Sequence, residues 1–411
     1  MTLKILWLKS ELLHPVDKGG KIRTYQMLKH LKRDHQVTYL ALATRKDAPE
    51  SFERASEYSH ELVTVDWRER QKFSAEFYFE LGLNLVSSLP YALQKYRSAA
   101  MRRAIEREMS RKKYDVVVCD FLVPSVNFKP IAGVTSVLFQ HNVESLIWQR
   151  HYETQTNPVK KAFFRNQWRK MLAYERAACR SFDAVVAVSE ADRDLMRDEF
   201  GISEVYDVPT GVDTDYFRPS DQAIREQNNI VFAGSMDWLP NQDGIRFFTE
   251  QVLPRIKQAI PGVTLTVVGR NPHPSLIEMS KRDSQIVVTG RVEDVRPYVD
   301  RAAAYIVPLR IGGGTRLKIY EAMAMEKAVI STTIGAEGLP VRDGFDLLLA
   351  DTPENFADAV VRVLNDSGFA NMIGEQASRL VRERFGWDKA ADRFAAICQK
   401  ARLSVSDLQP V

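Results

Sequence analysis

The sequence predicts an α/β protein built from two doubly wound domains. Three observations carry that expectation. The 411 residues are too many for one typical domain and suit two or three. Short apolar runs alternate with amphipathic helical stretches, the grammar of parallel α/β sheets. The alternation stops at a turn-rich polar stretch near the middle and then begins again. With 45% hydrophobic and 27% charged residues, each half can bury a core of its own.

In the first half the runs 5–8, 37–42, 116–119, 136–139 and 184–188 are short and apolar, as buried strands are. An amphipathic helix carrying Tyr25, Leu28 and Leu31 on one face follows the first of them. Val208, Pro209, Thr210 and Gly211, then Phe217, Arg218 and Pro219, carry turn chemistry, and a polar run over 220–229 follows. The boundary is therefore set at 208/209. The second half repeats the pattern with runs at 230–232, 265–268, 286–288, 305–309, 329–331 and 347–349. Residues 385–388 read as a helix break. The helix expected over 389–403 presents Phe394, Ile397 and Cys398, which need a partner surface. It is expected to cross back onto the first domain, giving segments 1–208, 209–384 and 385–411. Ligands of open parallel sheets bind beyond the carboxyl ends of the strands. Two such domains facing each other would place one site in the cleft between them.

The richest local signal lies after the run 304–309. Ile311, Gly312, Gly313, Gly314, Thr315, Arg316 and Lys318 lead into a helical stretch over 317–325. Consecutive glycines let the backbone approach a ligand and turn several N–H groups toward one point, which suits a phosphate. Arg316 and Lys318 oppose the dipole of the helix they begin, at a cost of roughly 0.3–1 kcal/mol each. A local rule broken twice points to a compensating anion. Lys318 and Glu321 share a helix face, placing a cation for phosphates beside a carboxylate for sugar hydroxyls. The alternative is a glycine-rich loop capped by Thr315 with solvated charges and an ordinary Lys318–Glu321 pair.

Composition narrows the classes of function. A net charge of +4, without basic runs interleaved with aromatics, does not indicate nucleic-acid binding. Cys119, Cys179 and Cys398 are far apart and lack metal-ligand spacing, so neither a disulfide framework nor a zinc site is indicated and a reducing compartment fits. The first residues read as a strand rather than a signal peptide, and no apolar run approaches the ~20 residues that span a bilayer. There is no Gly-x-Ser-x-Gly elbow and no HExxH motif, and Ser189 reads as a helix cap. Asp213, Thr214 and Asp215 read as a turn rather than a metal site.

The order of these features resembles the large family of retaining, nucleotide-sugar-dependent glycosyltransferases of the group 1 type, family 4, with two Rossmann-like domains in the GT-B arrangement. The resemblance covers nearly the whole chain. It is most specific over 312–325 together with 332–339, a set similar to that of a subgroup associated with bacterial polysaccharide and surface-glycan assembly. It implies an N-terminal acceptor domain, a C-terminal donor domain, no cofactor and no required metal. The substrates implied are a nucleotide diphosphate sugar and a glycan or lipid-linked acceptor, with the leaving diphosphate assisting bond formation on the same face. Arg316 and Lys318 would contact the diphosphate and Glu321 the ribose, with Gly313, Gly314 and Thr315 lining the donor. Many members carry a second glutamate eight positions before Glu321; here that position is Gly313. Many also place cations just after the first strand of the donor domain, where this chain reads Gly234, Ser235, Met236 and Asp237. An epimerase of the same fold and a non-catalytic nucleotide- or glycan-binding protein are the rival readings.

Further candidates follow from the resemblance. Gly290, Arg291 and Val292 resemble the loop that holds the base, and Gly19 and Gly20 the glycine-rich loop after the first strand. His141 lies at the carboxyl end of a strand, where related enzymes set a histidine against the donor sugar. Asn142 and Glu144 are candidate acceptor residues, and either also suits a turn cap. Aromatic and aliphatic residues within 67–113, beside the basic residues of 95–113, suit peripheral contact with an anionic membrane at the inner face of the cell. The other reading makes the aromatics core and the cations a solvated face, in a cytoplasmic enzyme.

Overall fold

The computed structural model describes residues 1–68, 73–220, 225–311 and 317–407. The chain forms two compact units, one of Met1–Pro209 with Trp387–Val411 and one of Thr210–Gly386.

In the first unit β1 (Lys4–Lys9), β2 (Gln36–Ala43), β3 (Glu61–Asp66), β4 (Val116–Asp120), β5 (Thr135–Phe139), β6 (Ala184–Ala187) and β7 (Val205–Asp207) form one sheet in the order β3-β2-β1-β4-β5-β6-β7. Every pairing is parallel. The order grows outward from β1 in both directions, so the topological switch point lies between β1 and β4. Alternate residues serve opposite faces. Ile5 and Trp7 join the core with Met27, Leu28 and Leu31 of the first helix, Gly19–Asp34, while Leu6 and Leu8 join the one holding Met101, Ile105, Met171 and Cys179. A strand covered on both sides has no polar alternation, which is why the runs read as uniformly apolar. Burying each such side chain contributes about 1.5–3 kcal/mol.

Two strands, β3 and β7, fall outside the sequence expectation. They are the edges of the sheet. β3 is mostly half-buried or exposed and β7 has three residues, so neither makes an apolar run. The last helix, Trp387–Asp407, belongs to this unit: Phe394 lies 5.4 Å from the Trp7 ring and 5.1 Å from that of Phe139. Asp207 ties it down, accepting from Arg393 at 2.8 Å and from Arg193 at 2.6 Å.

The second unit repeats the plan. β8 (Glu226–Ala233), β9 (Thr264–Val268), β10 (Ile286–Gly290), β11 (Ala302–Val307), β12 (Ala328–Ser331) and β13 (Leu348–Leu349) pair in parallel in the order β10-β9-β8-β11-β12-β13. Ile230, Phe232 and Ile306 face one core, and Val231, Tyr305 and Val307 the other. Its switch point lies between β8 and β11.

Candidate active site

The second unit gathers polar groups at its switch point. Gly234, just past β8, is a position where a Cβ would lie 2.8 Å from both Lys318 Nζ and Asn241 Nδ2. Lys318 is in the first turn of the helix Leu317–Ala324. Its ammonium donates to Asn241 Oδ1 at 2.7 Å and stands 4.5 Å over the Phe232 ring. Asn241 Nδ2 donates in turn to the Ser235 carbonyl at 2.7 Å. The amide therefore fixes the ammonium against the loop after β8. Arg270, two residues past β9, donates from Nε to Ser235 Oγ at 2.8 Å and approaches Asp237 at 3.6 Å. Burial raises the Glu321 carboxyl to about 7, with Lys318 pulling the other way. A carboxyl that titrates there can both accept from and donate to a hydroxyl.

The first unit builds a second constellation at the corresponding place. Lys9 ends β1, Asp120 ends β4, and His141 lies two residues past β5. In register Leu8 faces Cys119 and Asp120 faces Phe139, so the three side chains converge. Lys9 Nζ is 2.9 Å from Asp120 Oδ1 and donates to Thr24 Oγ1 at 2.8 Å. Asp120 Oδ2 accepts from Thr24 Oγ1 at 2.6 Å and Trp7 Nε1 at 2.9 Å. His141 Nε2 lies 2.8 Å from Asp120 Oδ1, but off the direction of its ring N–H. His141 Nδ1 is buried and has no hydrogen-bond partner among the described residues.

Phe121 closes this cluster. Its ring lies 3.8 Å from His141 and 4.2 Å from Lys9 Nζ. Its φ of +69° is strained for a bulky residue, a cost of order 1–3 kcal/mol that such positions sustain at functional sites. Gly20 makes room for it, since a Cβ there would meet Phe121 Cζ at 2.9 Å. The electrostatics follow from enclosure. Burial opposes ionisation of Asp120, but the Lys9 charge and the His141 and Thr24 contacts hold it well below the usual carboxylate range. Burial pushes His141 down to about 3 against the pull of Asp120, with Lys9 and Arg23 adding to the depression. Burial also lowers Arg23 to about 10. The imidazole is neutral at physiological pH, in a pocket holding two cations and one carboxylate.

The constellation of the second unit lies within one family-model match, and Thr24, Asp120, Phe121 and His141 of the first unit lie within another, which begins after Lys9. The model for glycosyl transferases group 1 matches residues 227–366, and that for glycosyltransferase family 4 matches residues 18–216. The chain belongs to the group 1 glycosyltransferases. An uncharacterized 44.6 kDa protein in the cps region of Klebsiella pneumoniae is 21% identical over 397 residues, covering 93% of this chain and 96% of that protein. A D-inositol 3-phosphate glycosyltransferase of Streptomyces bingchenggensis is 28% identical over 256 residues, covering 56% of this chain and 55% of that protein. The fold of this glycosyltransferase is shared with sucrose-phosphate synthase from Thermosynechococcus elongatus, at a TM-score of 0.69 and 16% identity over 97% of this chain and 99% of that one. Anabaena HepE, solved with UDP and glucose, matches at a TM-score of 0.64 and 14% identity over 96% and 98% of the two chains. The two units are the Rossmann-like domains of the GT-B class.

The sequence-predicted residues of this glycosyltransferase separate into groups. Lys318 and Glu321 come together at the switch point of the second unit, while Gly313, Gly314, Thr315 and Arg316 lie outside the described residues. Gly290 ends β10 at the sheet edge with φ +70°, and its carbonyl accepts from Gly269 at 3.2 Å. Arg291 is exposed and Val292 packs partly onto the core. Gly20 and His141 share the first-unit cluster through Phe121, and Gly19 opens the first helix. Asn142 is half-buried. Glu144 opens the helix Glu144–Thr154, where burial and then Glu175 raise its carboxyl to about 7. Glu175 itself caps that helix, accepting from the Glu144 and Ser145 amides at 2.8 Å. Ser189 is a cap, accepting from the Asp192 amide, and Asp213 accepts from the Tyr216 amide in a turn. Sequence reasoning passed over Lys9, Thr24, Asp120 and Phe121 in the first unit, and Asn241 and Arg270 in the second. Among the described residues no group of three His, Cys, Asp or Glu side chains is arranged to hold a metal.

Proposed function

We propose that this glycosyltransferase moves a sugar from a nucleotide diphosphate donor to a glycan or lipid-linked acceptor, with retention of configuration and without a metal. The observation that carries the reading is the Lys318–Asn241–Gly234 junction at the switch point of a Rossmann-like sheet. Negative charge develops on the departing diphosphate, and a cation held in place beforehand stabilises it without reorganising. Lys318 has that role, with Arg316 beside it in sequence. Glu321 takes the ribose hydroxyls, and Gly290, Arg291 and Val292 the base. In the first unit His141 is assigned the transferred sugar, and Asn142 and Glu144 the acceptor. Surface-polysaccharide assembly is the proposed setting, because the Klebsiella relative matched along most of the chain is a protein of the cps region.

The acceptor's lipid bears on a surface feature. In the helix Ala75–Asn84 and just after it, Phe79, Leu83 and Val86 follow helical spacing and are 67%, 53% and 91% exposed. These residues are surface, and we assign them to an anionic membrane. A cation beside them comes from the helix Pro158–Ser181, where Lys170 Nζ donates to the Asn84 and Leu85 carbonyls. Arg111 and Lys112 of the expected basic stretch are instead paired with Glu61. No helix among the described residues is long and apolar enough to cross a membrane.

The donor assignment is tested by thermal shift with nucleoside diphosphates and their sugars on wild type and Lys318→Ala. Ligand-induced stabilisation follows the ratio of concentration to Kd. It should be lost in the variant, and full retention would remove Lys318 from the phosphate site.

A further inference from the structure

We infer that Lys9 is a positioning residue for His141: by supplying the counter-charge of Asp120, it leaves the imidazole neutral with Nδ1 as an acceptor for a ligand hydroxyl. This rests on the reading that His141 meets the transferred sugar. The geometry is a competition for one oxygen. Lys9 Nζ and His141 Nε2 approach Asp120 Oδ1 at 2.9 and 2.8 Å. The other oxygen, Oδ2, is occupied by Thr24 and Trp7 at 2.6 and 2.9 Å. The carboxylate is held on both sides and lies fully buried, so it needs a cation within reach. Two groups stand at that distance. With Lys9 charged, the imidazole need not be.

The charged groups acting on His141 are Asp120 from β4, Lys9 from β1 and Arg23 from the first helix. Glu11 acts on Lys9, and Asp192 on Arg23, one step further out. Arg23 works in the same sense as Lys9, against an imidazolium. Phe121 and Phe139, with centroids 3.8 and 4.6 Å from the imidazole, restrict its rotation. An imidazolium would carry protons on both nitrogens and lose its only acceptor. Neither ring nitrogen makes a hydrogen bond among the described residues, but Nε2 lies 2.8 Å from the Asp120 carboxylate, so the neutral ring carries its proton there and keeps Nδ1 for a hydroxyl. Lys9 therefore acts through Asp120 rather than on the sugar.

The test is a nitrogen-15 NMR titration of His141 in the full chain, without donor or acceptor, comparing wild type, Lys9→Gln, Lys9→Met and Lys9→Arg. Gln keeps a donor for Thr24 and guards against loss of folding in the Met variant. In wild type His141 should stay neutral through mildly acidic pH. Removing the opposing cation should raise its midpoint by roughly 1–3 pH units, the usual effect of a carboxylate left as the dominant near charge. Lys9→Arg should restore the low value. In a transferase assay the pH profile of kcat/KM for Lys9→Gln should gain an acid limb at the NMR midpoint, while a merely structural role would lower activity evenly across pH. A folded Lys9→Gln or Lys9→Met with the wild-type midpoint overturns the inference and leaves the transfer reading standing. A raised midpoint with no transfer from any donor does the reverse.

Discussion

Gly234→Ala puts the proposed donor site to a test that removes none of the side chains assigned to it. The added Cβ would lie 2.8 Å from Lys318 Nζ and Asn241 Nδ2 and 3.3 Å from Asn241 Cγ, where ordinary contact begins at 3.4 Å. Lys318 and Asn241 must move apart or away, since the methyl enters beside the 2.7 Å bond that joins them. Both groups are side-chain ends, so the fold can absorb the change and the unit's melting temperature should fall only slightly. The positioning of the ammonium cannot survive it. A hydrogen bond to a charged group contributes about 1.5–3 kcal/mol, and nucleoside diphosphate affinity should fall by roughly tenfold to a hundredfold. Isothermal titration with UDP and GDP measures this directly, with circular dichroism to establish folding. The reasoning fails if a folded Gly234→Ala binds both nucleotides as wild type does, because Lys318 would then be holding Asn241 and not a phosphate. Equal weakening of a ligand that lacks phosphate would also count against it, since the damage would then extend beyond the ammonium.

Two further predictions follow from Glu321 and from the exposed apolar face. The Glu321 carboxyl titrates at about 7 in the folded chain against an ordinary 4.5. Between those values the folded chain keeps a proton that the unfolded chain has lost, so stability falls as pH rises through this window and the penalty is complete above it. Glu321→Gln should therefore stabilise the unit by about 1–3 kcal/mol at pH 8 and leave it nearly unchanged at pH 4, while weakening donor binding. Melting curves at both pH values check the sign, and equal shifts at each would show that burial is not the cause. At the exposed apolar face proposed to meet the membrane, Phe79→Ser, Leu83→Ser and Val86→Ser combined should reduce co-sedimentation with vesicles rich in phosphatidylglycerol by at least about tenfold. Sedimentation equal to wild type would mean that this face meets something other than lipid.

The central strands were legible because helices cover both faces of each sheet, and Val116, Val117, Val118 and Cys119 have no solvent side to advertise. The edge strands were not, since β3 is largely half-buried or exposed and leaves a mixed pattern. Strand order was hidden as well. Nothing local in the run 116–119 says that it lies beside 5–8 rather than 37–42, so the switch point emerges only from pairing. Lys318 and Glu321 could be found because glycines and a broken dipole rule marked their neighbourhood. Lys9 and Asp120 were missed for a specific reason. The sequence reading ended each strand at its last apolar residue and took the following charge as the boundary. In a doubly wound sheet that charge sits at the carboxyl end of a buried strand, where ligands bind. Lys9, Asp120 and Arg270 all lie within two residues of a central strand's last apolar position. A rule that examines those residues would have named all three.

The two lysines are held alike and differ in the carboxyl group beside each. Lys9 stands 4.2 Å over the Phe121 ring and bonds Thr24, and Lys318 stands 4.5 Å over the Phe232 ring and bonds Asn241. Each meets an aromatic face and a neutral oxygen at the switch point of its own sheet. They differ in what answers the charge. Asp120 lies 2.9 Å from Lys9 and stays ionised far below neutral pH, so that pair is closed within the unit. The carboxyl of Glu321, which interacts with Lys318, is instead raised by burial to about 7. Binding of a diphosphate beside Lys318 and Glu321 should favour the protonated carboxyl, so donor affinity should weaken as pH rises through 7.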